Sequence, residues 1–109
     1  HEELRRRVAV LRRETLGAVG SVPWIEPTDA DSGIHIPVRI DPVFAAERFG
    51  TVDDEAIATG LVRETGVFLH PGSFYGLDHP AFTGGPWGIV SAITPPAVRD
   101  AAVATLRRL

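Results

Sequence analysis

"IHIPVRI", residues 34–40, decides the fold. Ile34, Ile36, Val38 and Ile40 fall on one face of an extended chain, and His35, Pro37 and Arg39 on the other. This period of two predicts a strand with one face in a core. Proline has no N–H to give to a ladder, so Pro37 predicts an edge strand or a bulge. The strand stops at Asp41-Pro42, an N-cap residue followed by proline in the first helical turn. A short helix is predicted from there to about Phe49, ended by Gly50.

Working outward, "EPTDADSG" (26–33) reads as a polar turn preceded by a short apolar segment, Val22 to Ile25. A first helix is predicted over roughly Glu2 to Leu16. Leu4, Val8 and Leu11 lie at helical spacing, with Arg5, Arg12 and Arg13 to the sides. Downstream, "TVDD" offers Thr51 and Asp54 as a capping pair. Ala56, Ile57, Leu61 and Val62 line the apolar face of the helix that follows, and Gly66 is its expected terminator. Val67 to His70 is a predicted strand, Pro71 to Pro86 a long Gly/Pro loop, and "WGIVSAI" (87–93) a second buried strand. Thr94-Pro95-Pro96 opens a last helix, with Val98, Ala101, Ala102, Leu106 and Leu109 facing inward. The order α-β-β-α-α-β-β-α predicts an α+β fold: a two-layer sandwich, with a small, mostly antiparallel sheet covered by helices.

Composition bounds the function. The 109 residues suffice for one domain with a single core. A formal charge of −3 gives no electrostatic reason to expect nucleic acid or an anionic membrane. No apolar run approaches the ~20 residues of a membrane span, and no charged-then-apolar leader opens the sequence. Cysteine is absent, which excludes disulfides and thiolate metal sites. All 11 basic residues are arginine. No side-chain amine can therefore form a Schiff base with a carbonyl substrate or cofactor.

Several chemistries can be weighed residue by residue. His1, His35, His70 and His79 show no metal-ligand spacing. His70, Asp78 and Ser73 can be drawn as a hydrolytic triad, but "PGSFYG" is not the GxSxG elbow of a serine hydrolase. "TGGPWG" (83–88) lacks the lysine of a phosphate-binding loop. Asp53, Asp54 and Glu55 suit a helix start as caps, not as an acid/base set. The remaining candidate is "GVFLHPGSFYG", residues 66–76. Tyr75 and Phe74, with Phe82 and Trp87 nearby in sequence, cluster on a Gly/Pro loop. Such aromatics either line a pocket or pin the loop to its domain.

The ordered set "SGIHIPVRI", "ETGVFLHPGSFYG" and "WGIVSAITPPAVRDAAVATLRRL" resembles the C-terminal small domain of the class I/II aminotransferases. These are pyridoxal 5'-phosphate (PLP) enzymes of fold type I. "EELRRRVAVLRRE" is similar to the end of the helix that joins their large and small domains. The resemblance implies one domain over residues 1–109, with residues 1–20 as the end of that interdomain helix. It implies a cytoplasmic, homodimeric parent that passes an amino group between an amino acid or amine and a 2-oxo acid. PLP would be held by a large domain with no counterpart in this sequence, so the isolated chain would be inactive. The resemblance implies substrate-binding roles for Tyr75, Phe74, His70 and Gly72, and no catalytic or cofactor-binding residue in this chain. The family's carboxylate-gripping arginine would fall at about Ile89, and no arginine occurs from Gly66 to Ala97. The alternatives are a stand-alone module that binds a small molecule or a protein, and a small hydrolase.

Overall fold

A computed structural model describes residues 2–28, 34–75 and 85–109, with backbone alone for Phe74 and Tyr75. The elements are α1 (Glu2–Val19), β1 (Ile25–Pro27), β2 (His35–Ile40), α2 (Pro42–Phe49) and α3 (Asp54–Thr65). They continue with β3 (His70–Pro71), a 3₁₀ turn (Gly72–Tyr75), β4 (Trp87–Ser91) and α4 (Pro96–Arg107). The four strands form one antiparallel sheet in the order β1-β2-β4-β3. The α+β sandwich expected from the sequence is the fold observed.

The alternation in β2 sets the two faces of the sheet. Ile36, Val38 and Ile40 are 0%, 0% and 1% exposed. They join Ile25, Leu69 and Ala92 from the sheet side with Val19, Ala45, Ile57, Leu61, Val103 and Leu106 from the helices. Burying each Val, Leu or Ile among them stabilises the fold by roughly 1.5–3 kcal/mol. The helices thus cover one face. The other carries Glu26, His35, Pro37, Arg39, His70, Trp87, Ile89 and Ser91, as the cross-strand register requires.

Pro37 does not make β2 an edge strand. β2 is central, between β1 and β4. The reason lies in the direction of the backbone groups. Ala92 donates to the Ile34 carbonyl, so even-numbered residues of β2 bond towards β4 and odd-numbered ones towards β1. The Pro37 carbonyl accepts from the Thr28 N–H at 2.9 Å, where the β1 ladder ends at Pro27. The missing N–H therefore points past the end of β1 and removes no bond to β4.

The caps follow the sequence in part. Asp41 Oδ1 accepts from the Val43 N–H at 2.9 Å, Pro42 opens α2, and Gly50 closes it in the left-handed region at φ +71°. Gly66 ends α3 in the same way at φ +76°. The cap of α3 is Asp53, not Thr51 paired with Asp54: Asp53 Oδ2 accepts from the Ala56 N–H at 3.0 Å, while Thr51 Oγ1 accepts from the Asp53 N–H. Only Ile57 and Leu61 of the expected α3 face are buried; Ala56 and Val62 are exposed.

Two arginines shift the inward faces of α1 and α4. In α1 the buried residues are Arg12, Thr15 and Val19, and Leu4 is 61% exposed. Arg12 lays its stem inside and brings Nη1 to the His35 carbonyl at 3.5 Å. α1 also runs past Leu16, through Gly17, to Val19. In α4 the buried set is Val103 and Leu106, with Arg99 nearly enclosed; Val98 and Ala101 face solvent. Arg99 Nη1 lies 3.5 Å from Glu14 on α1, and its Nε donates to Asp100 at 2.9 Å. These bonds raise the Arg99 pKa above the ordinary arginine value, the Asp100 hydrogen bond most strongly, against an opposing desolvation.

The two ends of the sandwich meet at Trp24. Its ring stacks on Phe44 at 4.6 Å and 15°, and Phe49 closes the cluster edge-on to Phe44. Its Nε1 donates to the Leu106 carbonyl at 3.0 Å, 82 residues away. No helix among the described residues is long and apolar enough to cross a membrane.

Candidate functional site

The α3 terminator delivers the chain to the outer face of the sheet. Gly66 turns the backbone, the Val67 N–H donates to Thr65 Oγ1, and Leu69 enters the core. Alternation then sends Phe68 and His70 outward. Their rings meet edge to face at 4.6 Å and 82°. Phe68 is 65% exposed, and His70 is half-buried. β3 is only two residues long, with His70 opposite Ile89 and Pro71 opposite Gly88.

Ile89 lies at the middle of this outer face, between Pro37 of β2 and His70 of β3. It is 3% exposed yet outside the core cluster beneath the helices. The position near which the aminotransferase resemblance would place an arginine is thus an enclosed aliphatic seat. The outer face does carry a guanidinium on β2: Arg39, opposite Trp87, paired with Glu26 at 2.7 Å.

Beyond His70 the chain is held at two further points. A Cβ on Gly72 would stand 2.6 Å from Trp87 Cβ and 2.9 Å from the Trp87 carbonyl oxygen. Glycine is required there because β4 occupies the space of a side chain. Ser73 is bound to Asp54 at the start of α3: its N–H donates to Oδ2 at 2.7 Å and its hydroxyl to Oδ1 at 3.2 Å. The 3₁₀ turn then carries Phe74 and Tyr75.

The sequence-expected site residues are therefore contiguous on one firmly attached loop. His70 is on the outer face, Gly72 is packed on Trp87, and Phe74 and Tyr75 follow in the turn; their side chains lie outside the described residues. So do Asp78, His79 and Phe82. The Ser73 hydroxyl donates to a carboxylate. No group of three or more His, Cys, Asp or Glu among the described residues could hold a metal ion. The arrangement can present a shaped wall of aromatic and aliphatic groups. Phe68 was missed from sequence, Asp54 was read only as a cap, and Ile89 only as the place of the absent arginine. Only the doubled Asp53-Asp54 hinted at Asp54, since one helix start needs one cap.

No family model matches the chain, and no curated protein matches it. Solved structures do. An aminotransferase from Escherichia coli superposes with a TM-score of 0.72 at 14% identity, over 94% of this chain and 23% of that one. YbdL from Escherichia coli, a protein with a methionine aminotransferase function, superposes with a TM-score of 0.66 at 20% identity, over 98% of this chain and 25% of its own. The chain has an aminotransferase-like fold and spans about a quarter of the length of these structures.

Proposed function

We propose that this chain is the small, substrate-closing domain of a PLP-dependent class I/II aminotransferase. The observation that carries the reading is the loop from His70 to Tyr75, fixed at His70, Gly72 and Ser73 beside a sheet face with no helix of the core cluster on it. An aminotransferase-like fold supports it.

The chain contains no lysine and does not fit a covalent attachment of PLP. The cofactor belongs to the large domain in this reading, together with the proton transfers. What these residues contribute is closure. The domain moves as a unit, excludes water, and brings the loop against an amino acid or 2-oxo acid. Tyr75, Phe74 and His70 form the substrate-facing wall, and Gly72 gives the loop its path. The parent is a cytoplasmic homodimer.

Steady-state assays on the protein purified from its own source test this. Transfer of an amino group from an amino acid or amine to a 2-oxo acid is expected, with kcat/KM lowered by Tyr75→Phe. Wild-type rates from Tyr75→Phe with every active substrate would remove Tyr75 from the wall. The absence of any transfer would count against the reading itself.

A further inference from the structure

Asp54 follows the residue that caps α3, and its carboxylate is used elsewhere. Asp53 supplies the cap. Asp54 spends both oxygens on Ser73, 19 residues on, taking the backbone N–H at 2.7 Å and the hydroxyl at 3.2 Å. A carboxylate that accepts twice from one residue fixes direction as well as distance, and charged acceptors make the stronger hydrogen bonds. The contact is half-buried. On the other side, Gly72 is pressed onto Trp87. Between them, these contacts set the height and direction at which the chain enters Phe74 and Tyr75.

We infer that Asp54 is a positioning residue for substrate recognition: it holds Ser73 so that the backbone of the 72–75 turn follows a fixed path. The inference rests on the proposed function for its effect on substrate, and on geometry alone for its effect on the loop. α3 thereby acts as a strut between the core and the recognition loop, since Ile57 and Leu61 anchor the same helix beneath the sheet.

The test compares Asp54→Ala, Asp54→Asn, Ser73→Ala and Asp53→Ala in the native protein. Three quantities are read: hydrogen exchange of the 70–75 segment, melting temperature, and KM against kcat for the amino donor. Asp54→Ala removes both hydrogen bonds to Ser73 and is expected to speed exchange in 70–75 at least about tenfold. It should also raise KM more than it lowers kcat. Ser73→Ala keeps the backbone bond and should give a smaller change in the same direction. Asp54→Asn keeps one acceptor oxygen, so it reads the clamp even if Asp54→Ala does not fold. Asp53→Ala should lower the melting temperature at least as much while leaving loop exchange and KM at wild-type values. Wild-type exchange in 70–75 for both Asp54 variants would overturn the inference. So would an Asp53→Ala variant that matches them in loop exchange and KM, since the effect would then be helix stability alone. If the wild-type protein transfers no amino group, the proposed function fails, while the exchange measurement still decides the clamp.

Discussion

Gly72 and Trp87 approach so closely that the backbone of β4 takes the place of a side chain: a Cβ on Gly72 would lie 2.6 Å from Trp87 Cβ. The obstructing atoms include the Trp87 carbonyl, which rotamer changes cannot move. Gly72→Ala must therefore displace the loop or the strand. It is expected to cost about 2 kcal/mol, the range of overpacked sites. Chemical denaturation measures it, and a loss within error of zero would show that the contact yields.

Two other glycines should respond with opposite signs. Gly66 ends α3 at φ +76°, where an L side chain is strained, so Gly66→Ala should destabilise by about 1 kcal/mol. Gly17 lies within α1, exposed, with no atom within 4 Å of a built Cβ. Gly17→Ala should stabilise by about 0.5–1 kcal/mol. Equal signs in thermal unfolding would refute this pair of readings.

Trp24 joins the first and last parts of the chain through its bond to the Leu106 carbonyl. Trp24→Phe keeps the stack on Phe44 but takes the indole donor from the Leu106 carbonyl, which keeps only backbone donors such as the Leu109 N–H at 3.3 Å. A loss of about 1 kcal/mol is expected from denaturant midpoints at unchanged slope.

The Arg99 contacts with Glu14 and Asp100 have a definite pH signature. The folded-state pKa of Arg99 is raised. Its contribution is therefore fully present below the unfolded value and is lost only as pH rises through the folded one. Both lie far above neutrality. Arg99→Met should lower the melting temperature by the same amount at about pH 6 and about pH 9, because arginine stays charged across that range. A difference that shrinks over that interval would contradict the assignment.

The period of two in residues 34–40 and the Asp41-Pro42 boundary were legible because backbone geometry alone imposes them. What was not legible came from charged side chains that work inside. Arg12 and Arg99 stand on the inward faces of α1 and α4, so hydrophobic spacing rotated both faces towards Leu4 and Val98. Pro37 pointed to an edge because sequence does not say how far the neighbouring strand extends. The loop was visible as "HPGSFYG", but its attachment was not. The Asp54–Ser73 pair spans 19 residues and depends on where α3 meets β3.

Native mass spectrometry of the protein from its own source tests the central claim most directly. The account predicts a lysine-containing species much heavier than the 11.7 kDa of this chain, carrying PLP. A species of 11.7 kDa, or a simple multiple of it, without cofactor would contradict it.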